Sequence, residues 1–183
     1  MGDRLVKALV RSLFLATSRQ RSVQQTRRIL SGYLRLSERI APEDGRRPVA
    51  VPPMPGVDEE MRNWSFFMIL EHNAIVSRSI SAMVQQLARG ERPSGAAVID
   101  PKKDVMPTPD AGPETLPAMQ DAVHAHLERL ARLSKLRGTL TARHPVFGEF
   151  DAHKWNCMFA FHMRIHYKQA AYVMRAVSSA PDI

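Results

Sequence analysis

Trp155-Asn156-Cys157-Met158-Phe159-Ala160-Phe161-His162-Met163-Arg164-Ile165-His166-Tyr167-Lys168-Gln169 contains neither proline nor glycine, and its apolar residues recur at helical rather than alternating spacing. It reads as the middle of a long helix opened by Asp151, a favoured N-cap residue, and running to about Ser178 with Trp155, Met158, Phe159, Tyr172, Val173 and Val177 along it. Nothing in it alternates like a strand. Two histidines interrupt the apolar stripe four residues apart. At about 100° per residue, positions i and i+4 stack on one face, which lets two imidazoles reach one metal ion. A third ligand has to come from elsewhere.

Working outward, proline divides the rest of the chain, because it removes a backbone donor and clashes inside a helix. Five of the 13 prolines lie between Pro42 and Pro55 and six between Pro93 and Pro117. Three further long segments are left, each with a helical apolar period. The first runs from about Asp3 to Ile40, with Leu5, Leu9, Leu13, Leu30, Tyr33 and Leu34, and the polar stretch Thr17 to Ser22 is where it would kink or divide. The second is expected to start near Val57-Asp58-Glu59-Glu60, whose acids suit a helix N-terminus, and to end at Gly90 as a C-cap. The third spans about Glu114 to Thr141, with Pro117 in its first turn and Leu116, Met119, Val123, Leu127, Leu130, Leu133 and Leu140 facing a core. Four amphipathic segments in 183 residues give an all-α fold, an antiparallel four-helix bundle in one domain. Its first helix is extended or kinked. The 90–113 connection is longer than a bundle loop needs to be, so it either covers a site or is mobile.

This length buries a core without staples, and the single cysteine, Cys157, rules out an internal disulfide and suits a reducing, cytoplasmic compartment. No run approaches a membrane span, and Arg11 splits the only stretch resembling a signal peptide. The net charge of +8 is local: residues 1–50 hold 11 Lys/Arg against 4 Asp/Glu, the remainder 15 against 14. Such a basic helix can meet nucleic acid or an anionic surface. Phe14 and Tyr33, its aromatics, fit the apolar stripe better than a base-stacking platform, so Arg27 and Arg28 read as solvation and nucleic acid is not the expected partner.

His72, in Leu70-Glu71-His72-Asn73, follows Ile69 by three residues and precedes Val76 by four, which puts it on the inward stripe of the second helix. With His162 and His166 it makes a three-imidazole set that leaves a coordination position open. Zinc, nickel, iron and manganese all suit imidazole. Spacing alone leaves ordinary core packing of these histidines equally open. Gln169, three residues beyond His166, is placed to hydrogen-bond a ligand imidazole and fix its tautomer, or to be an ordinary polar residue at the bundle edge. Glu71 is the better general base by chemistry but points aside, as Asn73 does. His144 is expected to bond backbone near Pro145. His124 and His126 diverge, with His124 on the surface, as His153 is. Trp155, Phe159 and Phe161 are core or pocket wall, and Cys157 lies on another side of its helix and is no nucleophile candidate. No nucleophile triad, phosphate loop or His-Glu-x-x-His motif is present.

The set Leu70-Glu71-His72-Asn73, His144-Pro145-Val146-Phe147-Gly148, Trp155 and His162-Met-Arg-Ile-His166-Tyr-Lys-Gln169 resembles the DinB-like (YfiT-like) superfamily of metal-dependent four-helix bundles. The likeness covers about residues 57–178 and, more loosely, the first helix. It implies metal ligands at His72, His162 and His166, a divalent ion that is often nickel or zinc, frequent homodimers, and relatives that act as transferases or isomerases using low-molecular-weight thiols. The reading that follows is a metal-dependent enzyme acting on a small molecule by thiol transfer or hydrolysis. A non-catalytic metal- or ligand-binding protein of stress response is the alternative.

Overall fold

The first segment divides where its sequence turns polar. In the computed structural model, which describes residues 2–98, 100 and 103–179, helix α1 (Gly2–Ala16) stops and α2 (Arg19–Ser37) starts afresh behind Ser18, whose hydroxyl accepts the backbone N–H of Arg21. Val10 and Phe14 bury one side of α1, while Leu5, Val6, Leu9 and Leu13 stay exposed on the other. The short α3 (Pro42–Arg46) follows.

The second long helix begins later than its acidic residues suggest. Glu59–Met61 form only a 3-10 turn, and α4 (Phe66–Arg89) is opened by Ser65, whose hydroxyl accepts the N–H of Met68. Residues 57–64 are held out of the helix because the backbone N–H groups of Val49 and Val51 bond the carbonyls of Trp64 and Arg62. Its end is as expected: Gly90 takes the left-handed conformation, φ 76°, that a C-cap glycine accommodates without penalty.

The third helix, α5 (Thr115–Arg132), stops about two and a half turns short of its expected end near Thr141. The guanidinium of Arg19 at the start of α2 donates to the carbonyls of Leu130 and Leu133, terminating the helix from outside, and the chain then leaves the helical conformation. Leu136 stays buried off the helix and its carbonyl accepts the N–H of His153 in the first turn of α6 (Ala152–Ser178). Between them lies a small antiparallel ribbon, β1 (Ala142–His144) and β2 (Gly148–Phe150), pairing Ala142 with Phe150 and His144 with Gly148. The sequence pattern predicts only a turn here. Three-residue segments are too short to show alternation. Asp151 caps α6 as expected, accepting the N–H of Lys154.

α4 packs against both α5 and α6, and α2 against α6 and α5. These four helices form the bundle, with Tyr33, Phe66, Ile69, Leu70, Met119, Leu130, Phe159 and Met163 fully enclosed between them. Asn73 on α4 donates to the Tyr33 hydroxyl on α2, which donates to the Met163 carbonyl on α6, so one buried chain of bonds crosses three helices. No helix among the described residues is long and apolar enough to cross a membrane.

Candidate metal centre

α4 and α6 bring His72, His162 and His166 together. One ring nitrogen from each lies within 4.8 Å of the other two, and the ring centroids are 5.0 Å (72 to 162), 4.5 Å (72 to 166) and 4.6 Å (162 to 166) apart. His72 is 1 % and His166 2 % exposed. Trp64, just before α4, lies with its ring 4.9 Å from His72 and 6.2 Å from His166, closing that side.

The outer contacts fix which nitrogens carry protons. His72 Nδ1 is 2.7 Å from the Val105 carbonyl, which can only accept, so Nδ1 carries the hydrogen. Gln169 Nε2 donates to the Met61 carbonyl at 2.7 Å, which orients the amide. Its Oε1 then faces His166 Nδ1 at 2.8 Å and accepts from it. In both residues Nε2 is left with its lone pair, and His72 Nε2 lies 3.1 Å from His162 Nε2. Ligand histidines have this arrangement, with one nitrogen tied outward and the other bare and directed inward.

Electrostatics agree. Burial pushes His72 down to about 4, against the Val105 bond. Burial, followed by repulsion from a charged His72, takes His166 to about 3, with the Gln169 bond opposing. Burial, then the charges of His166, His72 and His144, holds His162 well below the usual imidazole range. Three neutral imidazoles are the ligand form, so the donor set fits a divalent ion.

Gln169 thus makes the bond its position suggests. Glu71 does point aside, its carboxylate accepting the backbone N–H and the hydroxyl of Thr108 at 2.7 and 2.9 Å. With the Val105 carbonyl, this pins part of the 90–113 connection over the cluster, so of its two alternatives covering the site is the one realised. Trp155 and Phe159 are buried and Phe161 packs at the core's edge. Cys157 is buried, which pushes its thiol up to about 12. His124 is exposed and His126 buried, as diverging neighbours should be. His153 corrects the sequence reading: it is not at the surface but 2 % exposed, because α1 lies over it and Phe14 supplies a carbonyl 3.1 Å from its Nε2. His144 accepts backbone N–H groups just after Pro145, as expected. Sequence reasoning missed Trp64 and Val105. An aromatic outside the helical stripe and a loop carbonyl carry no spacing signal.

Fold and cluster together define a four-helix bundle with a three-histidine set able to hold a metal ion. Among solved structures, the chain is similar to one described as TT2238, a four-helix bundle protein, at 18% identity and a TM-score of 0.51 over 88% of this chain and 98% of that one. No protein-family model and no curated protein matches the chain.

Proposed function

We propose that His72, His162 and His166 hold a divalent metal ion, and that the protein is a DinB-like metal-dependent enzyme acting on a small molecule by thiol transfer or hydrolysis. The observation that carries this reading is the pair of committed Nδ1 protons, on His72 and His166, which leaves bare Nε2 lone pairs facing a common point with His162. When bound, the ion supplies Lewis acidity and lowers the pKa of a thiol or water beside it. Val105 and Gln169 hold ligand orientation, Trp64 excludes water from one side, and the partly exposed His162 leaves the other side for a small ligand. Nickel or zinc is the ion that the family resemblance favours, and iron or manganese also suits imidazole. The reading extends to a single-domain cytoplasmic homodimer with a low-molecular-weight thiol as cosubstrate.

One observation favours the non-catalytic alternative: among the described residues the nearby candidates for acid or base are not free, since Glu71 is committed to Thr108 and the Cys157 thiol is buried and neutral. Elemental analysis of tag-free protein purified without chelators or added metal tests the metal reading. The expected result is roughly one ion per chain, falling to almost none in His72→Ala and His162→Ala. No metal in the parent, with reconstitution also failing, overturns it. Cobalt-substituted protein then separates the two functions, since a change in its visible spectrum on adding thiol requires an open coordination position.

A further inference from the structure

Two of the three imidazoles are sealed. Trp64 and the Val105 segment close over His72 and His166, whereas His162 keeps part of its surface. Of the three, His162 is thus the member a small ligand can approach. The β1–β2 hairpin packs against the same stretch of α6, the Phe147 ring of its turn 6.4 Å from that of Phe161, the neighbour of His162. His144, at the end of β1, packs its ring 5.3 Å from Trp155, which lies seven residues, two helical turns, before His162 on the same face of α6. It is also near enough that a charge on it would be felt at His162.

The hairpin fixes the His144 tautomer. Its Nδ1 accepts two backbone N–H groups, from Val146 at 3.1 Å and Phe147 at 3.3 Å. A nitrogen accepting two donors presents a lone pair, so the ring proton sits on Nε2. Phe147, Phe150 and Trp155 pack around the ring at 5.0, 5.5 and 5.3 Å between centroids, and hold it in that orientation. Burial lowers its pKa to about 4, so at neutral pH it is an uncharged donor. Among the described residues nothing accepts the Nε2 proton. With Nδ1 occupied and Nε2 protonated, His144 is not a fourth metal ligand.

We propose that His144 is a positioning residue that donates its Nε2–H to the acceptor atom of a small ligand bound at the three-histidine centre: a carboxylate or carbonyl oxygen, a thiolate sulfur or a small inorganic anion. The inference rests on the metal reading above and adds the second contact that would orient such a ligand. Neutral donation needs no proton transfer, so the residue selects acceptor-bearing ligands without acting as acid or base.

Cobalt-substituted protein titrated with sodium azide, followed by its visible spectrum, tests it. His144→Asn keeps an oxygen near the place of Nδ1, so the hairpin N–H groups retain an acceptor while the donor is drawn back. His144→Gln extends an amide N–H toward the place of Nε2. The expected result is full cobalt content in parent and variants, azide binding about 5- to 20-fold weaker in His144→Asn, consistent with the loss of one hydrogen bond, and partial recovery in His144→Gln. Nitrogen-15 NMR of the parent should show His144 protonated at Nε2, a readout needing no variant. An azide constant unchanged within twofold in cobalt-loaded His144→Asn, or a proton found on Nδ1, overturns the inference while the metal reading stands. Failure of the parent to take up cobalt overturns both.

Discussion

His72 on α4 and His126 on α5 are each 1 % exposed, and burial brings each to about 4. By depth and acidity they are twins, yet their surroundings differ in kind. His126 stacks flat on Phe159 at 3.7 Å, and its Nε2 meets the side-chain oxygen of Asn156 at 3.2 Å. That ring nitrogen is satisfied inside the core. His72 ties only Nδ1 to a carbonyl, and turns Nε2 toward two further imidazoles, 3.1 Å from His162 Nε2. A buried imidazole with a depressed pKa is therefore no mark of a site. What separates the two is whether the inward nitrogen ends on a protein partner or converges with other lone pairs.

The strongest way to break this contrast is to remove each histidine in turn. Substituting His162 or His166 by alanine is expected to take metal content from about one ion per chain to nearly none, whereas His126→Leu should leave it unchanged. Elemental analysis reads both, and metal loss in the His126 variant would erase the distinction. Next in size is the pH dependence of stability. An unfolded imidazole gains its proton near 6.5 and folded His126 only near 4. Its contribution is therefore whole above pH 6.5 and is lost as the pH falls toward 4, on the order of 3 kcal/mol. Arg129 deepens the shift and Asn156 opposes it. Urea unfolding at pH 7, 5.5 and 4 should show His126→Leu losing less stability than the parent over that range.

A smaller effect belongs to the outer contacts. Gln169→Leu frees His166 Nδ1 and leaves the Met61 carbonyl without its donor. Metal affinity should weaken about 10- to 100-fold while the ion is still bound, as competition with a chromogenic chelator would measure. Unchanged affinity would mean the amide is structural only. Least of all, Thr108→Ala removes one of two bonds to Glu71 at the exposed rim. Thermal unfolding is expected to register under about 1 kcal/mol, with metal content intact.

Much of this was legible in advance because helices and their faces repeat. Stretches free of proline beyond their first turn marked the four bundle helices, the four-residue step from His162 to His166 placed both on one face, and Ile69 and Val76 located His72 between them. Gln169 followed from the same period. Misreadings fell where chain distant in sequence intervenes. Val49 and Val51 hold residues 57–64 out of α4, Arg19 ends α5 across more than a hundred residues, and α1 buries His153. Local propensity has no access to such partners, and a three-residue strand leaves too few positions for a period to show.

The bond from His72 to Val105 is made to a main-chain oxygen. Every amino acid supplies that oxygen, so position 105 is free to drift as long as its replacement fits the cover. What must be preserved is the count of residues that delivers a carbonyl there. Losing a single residue between His72 and Val105 would disturb the centre more than many exchanges of side chain, and comparison of residue identities alone would pass over the constraint.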